Sequence, residues 1–229
     1  MNRRIFIGAT ALFLFSTFFC GAALSANSKL ENRLDECAYV LDEIMMMPEN
    51  SIPDDLLKKC EAIGVFPSTV SGGFMVGGRF GQGIIITRDP ETRKWTAPAF
   101  FTIGGASFGF QIGGQATDLV FVVTTRRGIN SLVNDKVTLG TDAAVAAGPL
   151  GRKAEVATDV LMKASILSYS RSKGLFAGVA LQGAVVSANK DDNKSTYGPD
   201  VTVEDILNGK VKATAEAQKL INTINKYAP

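Results

Sequence analysis

The sequence predicts an α+β protein. It should have a strongly curled, partly closed antiparallel β-sheet, an N-terminal helical hairpin and C-terminal helices. Three observations carry this expectation. Apolar residues recur at helical spacing near both ends of the chain. Between Val65 and about Ala188 the texture changes to β-branched and aromatic runs punctuated by glycine. Helices, then strands, then helices argue for an antiparallel sheet and against alternating βαβ units.

In residues 29–47, Leu30, Leu34, Cys37, Leu41 and Ile44 fall three or four apart, with Glu31, Arg33, Asp35 and Glu36 assigned to the opposite face. Pro48-Glu-Asn-Ser breaks this helix. Pro53 opens a second, short helix reaching about Cys60, and Asp54 and Asp55 suit its positive N-terminus. Phe74–Phe80 and Gly83–Thr87 read as two strands about a glycine-rich hairpin. Asp89-Pro90-Glu91-Thr92 reads as a turn, and 94–103 as another strand. Phe108, Phe110 and Ile112 alternate with Ser107, Gly109 and Gln111, the pattern of a half-buried strand. Leu119–Val123 is continuously apolar and should be covered on both faces.

Farther along, Arg127–Asn134 reads as a helix, and 143–147 and 154–158 as short strands. Ile166–Arg171 and Leu175–Val186 read as a strand pair joined at Lys173-Gly174. After a polar stretch, 189–194, helices are expected at 203–207 and 211–227, the latter with Ala217, Leu220, Ile221 and Ile224 on one side. Many of the chain's 23 glycines lie inside expected strands. Glycine there weakens a strand but permits sharp bending and close backbone approach, hence the expected curl.

Residues 1–26 have the layout of a secretory signal peptide: Arg3 and Arg4, an apolar run from Ile5 to Phe19, then small residues. Cleavage after Ser25 or Ala26 would leave residues 27–229 as a single domain, exported to the periplasm or cell envelope. Cys20 offers a lipoprotein alternative, but Thr17, Phe18 and Phe19 replace the small residues a lipidation signal wants. Loss of the leader removes two arginines and no acids. The balance of 24 basic and 22 acidic residues becomes 22 against 22, so net charge steers the chain toward no nucleic acid.

With no histidine, the chain cannot form a Ser-His-Asp or Cys-His constellation, and two thiols are too few for a zinc site. No enzyme, cofactor or metal is expected. Asp118, Asp142 and Asp159 read as turn and capping aspartates. The Gly72–Gly83 stretch lacks the Gly-Lys-Ser/Thr ending of a phosphate loop. An oxidising compartment favours a Cys37–Cys60 disulfide. Cys37 lies 11 residues before Pro48 and Cys60 12 after it, so a helical hairpin would bring them level.

Three separated blocks carry a family resemblance. These are "GVFPSTVSGGFMVGGRFGQGIIITR", "KWTAPAFFTIGGASFGFQIGGQATDLVFVV" and "GPLGRKAEVATDVLMKASILSYSRSKGLFAGVALQGAVV". In order and spacing they resemble the SYLF domain, also known as the Ysc-type actin-binding domain, over about residues 53–198. Trp95-Thr-Ala-Pro-Ala-Phe and Ser168-Tyr-Ser-Arg-Ser172 are the most telling strings. The resemblance implies lipid binding, with phosphoinositide ligands in eukaryotic members and actin bundling in some fungal ones. An exported protein meets neither ligand, so the expected function is binding to anionic phospholipid or a membrane surface, with actin unlikely. An actin-binding protein is one alternative, and a periplasmic lipid carrier with an internal apolar pocket is another. The expected lipid contacts are Lys58, Lys59, Arg152 and Lys153, with Leu56 and Leu57 as inserted apolar residues. The other basic pairs are Arg93-Lys94 and Arg126-Arg127.

Overall fold

The computed structural model describes residues 10–47, 51–134, 136–150, 164–172 and 175–229. The helices are α1 (Thr10–Met45), α2 (Asp54–Lys59), α3 (Arg126–Val133), α4 (Lys190–Tyr197), α5 (Val203–Leu207) and α6 (Gln218–Tyr227). The strands are β1 (Ala62–Thr87), β2 (Ala99–Val123), β3 (Lys136–Thr138), β4 (Val145–Ala147), β5 (Ile166–Ser172), β6 (Leu175–Gly178) and β7 (Val185–Ala188). Among the described residues these seven strands form one curled sheet in the order β3-β7-β2-β5-β4, with β1 along β2 and β6 along β5. All pairings are antiparallel except β4 with β5.

The separate strands expected between Val65 and Val123 are two very long ones. β1 pairs with β2 from Ala62↔Val123 to Ile85↔Ala99, with register shifts between Phe66 and Thr69 and between Gly73 and Met75. The expected hairpin at Gly72–Gly83 is therefore not a turn, and its glycines lie within continuous strand. A straight strand of this length would span roughly 85 Å. Instead β1 doubles back, and its two ends touch. A Cβ at Gly83 would lie 2.7 Å from Phe66 Cα and would overlap the Val65 carbonyl oxygen, and one at Gly81 would lie 3.0 Å from Thr69 Cβ. The missing side chains are what allow the curl.

The curled sheet buries side chains on both faces. Ile63, Val65, Ile84, Ile86, Phe100, Val120 and Val122 pack under α1, α2 and α6. On the opposite face Phe66, Ile85, Phe101, Phe121 and Val123 pack with Ile129 and Leu132 of α3 and with Ile206 and Leu207 of α5. The whole run Leu119–Val123 is buried, as its continuous apolarity predicts. Leu30, Leu34, Cys37, Leu41 and Ile44 form the buried stripe of α1. Arg33, assigned by periodicity to the outer face, is also buried; it pairs with Asp192 of α4 at 2.5 Å and donates to Gln82 Oε1 at 2.9 Å.

Further differences have local causes. Leu175–Val186 divides into β6 and β7 because the chain turns at Gly183, where φ is +79°. These strands join different neighbours, β5 and β2. The polar stretch after Asn189 is helical. The Asn189 side chain accepts from Asp192 N, and Asp191 and Asp192 occupy the first turn. Asn193 is buried against β2, accepting from Phe100 N at 2.8 Å and donating to Phe100 O at 3.0 Å. The helix expected over 211–227 begins only at Gln218, and the strand expected at 154–158 lies outside the described residues.

α6 is tied to α1 by Lys219–Asp35 at 2.9 Å and by Asp42, which accepts from Lys226 Nζ at 3.1 Å and from the Tyr227 hydroxyl at 2.5 Å. The Tyr227 hydrogen bond, more than the partly opposing burial, holds the Asp42 carboxyl below its ordinary range. The folded state thus favours the ionised form, so this contribution is present above the ordinary carboxylate pKa of about 4. It is lost as pH falls through the depressed value. Asp42→Asn should lower the melting temperature slightly at pH 7, where the contribution is fully present, and the difference from wild type should close as pH falls below about 4. The effect should stay under about 1 kcal/mol because the pair is exposed.

Candidate functional site

α1 covers only part of its sheet face. Along β1, Ile84 and Ile86 lie in the core beneath α1, and Gln82 bonds Arg33. Two residues farther out, Phe80 continues the alternation on that face but is 59% exposed. Val70, on the returning arm of β1, is 55% exposed. These two apolar residues and Pro67 line a groove of about 410 Å³, whose other wall is Lys29, Asn32 and Glu36 of α1. The three α1 residues are exposed and spaced three and four apart, so they form one stripe along the helix. Lys29 and Glu36 make no ion pair among the described residues, whereas Arg33 is fully engaged at the groove's base.

Beside the groove, Asp118 accepts from Ser68 N at 2.9 Å and from Arg171 Nη2 at 2.8 Å, and Arg171 also reaches Glu43 at 3.0 Å. This network braces the groove wall and offers no reactive group. No group of three metal-ligating side chains converges among the described residues.

Of the sequence-predicted contacts, the described residues include only those of α2. Leu57 is fully buried in the core and Leu56 packs half-buried against it, so neither is an inserting residue. Lys58 and Lys59 are exposed in the last turn of α2, away from the groove lining. Arg152 and Lys153 lie outside the described residues, as does Asp159. Arg93 and Arg126 both pair with Glu61, at 2.7 and 3.3 Å. Asp142 accepts from Thr138 N, the turn role expected of it.

The expected Cys37–Cys60 disulfide is absent: both cysteines are buried free thiols. Cys37 donates to Val65 O at 3.5 Å and Cys60 to Leu57 O at 3.0 Å. α1 and α2 each pack on α6. Burial pushes both up, Cys60 to about 11.

Sequence reasoning missed Val70, Phe80, Lys29 and Glu36. The available signal was Phe80, a large aromatic inside a glycine run and in phase with Gln82 and Ile84.

Residues 104–227 match the family model Ysc84, described as "Las17-binding protein actin regulator". The chain is 33% identical over 206 residues to SH3 domain-containing YSC84-like protein 1 of Rattus norvegicus, covering 87% of this chain and 60% of that protein. It is 37% identical over 177 residues to the SH3 domain-containing protein PJ696.02 of Schizosaccharomyces pombe, and 33% identical over 180 residues to LAS seventeen-binding protein 3 of Saccharomyces cerevisiae. Those alignments cover 76% and 77% of this chain and 41% and 39% of the relatives. The chain thus spans 39–60% of the length of these relatives.

These matches correct the functional expectation. A family described by actin regulation, with a Las17-binding relative, overturns lipid as the leading ligand and actin as an unlikely partner. It favours the actin alternative. The family is described by binding and regulation, not by a reaction. The family model covers more than half of the sequence, including most of β2, β5 and the C-terminal helices, so the chain belongs to the Ysc84 family.

Proposed function

We propose that this chain is a non-enzymatic protein-binding module that takes part in actin regulation. The observation that carries the reading is the match of residues 104–227 to a family described as an actin regulator. The groove between α1 and β1 supports it, since the exposed side chains of Val70 and Phe80 beside the charged residues of α1 suit a protein partner. The absence of histidine supports a role without acid–base or nucleophilic catalysis of the common kind.

Co-sedimentation with purified actin filaments tests the proposal. The protein should pellet with filaments, saturably, with a dissociation constant in the micromolar range of about 8 kcal/mol. Protein left in the supernatant at every filament concentration overturns it.

Export belongs to the same proposal, on the layout of residues 1–26. An exported copy would meet actin outside its own cell. N-terminal sequencing should then read from Ala26 or Asn27, and an intact Met1 on all of the protein would remove this part.

A further inference from the structure

We infer that α1 carries a second start, at Ser28, which takes over when the residues before it are removed. This rests on the export reading above and assigns what processing does to the fold. α1 runs as one helix from Thr10 to Met45, so cleavage after Ser25 or Ala26 falls inside it. A cut there removes the carbonyls that the next backbone N–H groups bond, leaving a new helix end with unmet donors. The chain holds the residues that repair such an end. Ser28-Lys29-Leu30-Glu31 has the spacing of a capping box. In that motif the serine accepts from the backbone N–H three residues on, and the glutamate there reaches back to the serine N–H. Inside a continuous helix those N–H groups already bond carbonyls four residues back, so the motif caps only a cut end.

Burial sets this second start at the edge of the packed part. Leu30 is the first buried residue of α1 among those described, and Arg33, Leu34 and Cys37 follow it into the core. Ser28 and Glu31 are both exposed, so packing dictates neither. A helix opening at Ser28 keeps the whole buried stripe, and with it the Arg33 bonds to Asp192 and Gln82. The protein builds the same device at α5. There Thr202 accepts from Asp205 N at 3.1 Å, and the Asp205 carboxylate accepts from Thr202 N at 3.3 Å.

The test uses the protein recovered after export, its first residue read by N-terminal sequencing, beside the full chain made without export. In the processed protein Ser28→Ala should lower the melting temperature by about 2–4 °C, the shift of a lost cap in a domain of this size. Ser28→Asp, which also caps, should melt near wild type. In the uncut chain the sign turns. Alanine suits a helix interior better than serine, so Ser28→Ala should hold or raise the melting temperature there. A processed protein indifferent to Ser28→Ala, or lowered equally by Ala and Asp, overturns the second start and leaves export intact. An equal fall in the uncut chain overturns it too, as does a first residue beyond Ser28. An intact Met1 on all of the protein overturns the export reading, and this inference with it.

Discussion

Gly83→Val is expected to abolish the folded state, or to leave it destabilised by at least about 3 kcal/mol, the upper end of overpacking effects. The Cβ at this position would meet Phe66 Cα at 2.7 Å and overlap the Val65 carbonyl, and both obstacles are backbone. No rotamer change relieves such contacts. The two arms of β1 would have to separate, taking with them the packing of Ile63 and Val65 with Ile84 and Ile86. Thermal unfolding and gel filtration of the variant read the effect directly. Gly78→Ala is the control, because no atom lies within 4 Å of its Cβ site. It should melt within a few degrees of wild type. If the two variants behave alike, close approach at Gly83 is not what curls the sheet.

Phe121→Ala should cost about 4 kcal/mol, a large fraction of the 5–15 kcal/mol that holds a domain together. Phe121 is fully buried at the centre of the face opposite α1 and meets Phe66 with ring centroids 5.2 Å apart and a 48° tilt. Its backbone pairs with Gly64 and Ser168, so the surrounding strands are fixed on both sides and cannot collapse into the cavity. Urea denaturation should show a lower midpoint at an unchanged slope. A midpoint shift worth less than about 1 kcal/mol would show that the site relaxes, and that this face is loosely packed.

The strings that made the family recognisable are mostly structural. Trp95 donates to Ala228 O at 2.9 Å, and its ring lies under the buried guanidinium of Arg88, 4.4 Å from the centroid. Ser168 is buried and donates to Val179 O at 2.6 Å, and Tyr169 stacks on Phe176 at 5.4 Å. Recognition thus rested on residues that close the fold, which is why it identified the family; the expectation of export, not the resemblance, set actin aside. Adjacent charges in sequence say nothing about the acid across the fold, and Glu61 takes up both Arg93 and Arg126.

What the sequence determined by itself was local. The stripe Leu30, Leu34, Cys37, Leu41 and Ile44 follows from a 3.6-residue period, and burial of Leu119–Val123 from an unbroken apolar run. The turn at Asp89 follows from an aspartate that accepts from Glu91 N and Thr92 N. Only the tertiary structure decided the rest, since it depends on partners far along the chain. Pairing of β1 with β2 fused the expected separate strands into two, and the return of β1 on itself set Val70 beside Phe80. Arg33 went inside because Asp192, 159 residues later, lies within reach. The thiols stay free, each buried and donating to a backbone carbonyl, Cys37 to Val65 O and Cys60 to Leu57 O. Periodicity reports which face of an element is apolar. Which part of that face stays exposed is settled by where neighbouring elements lie, and among the described residues that part includes Val70 and Phe80.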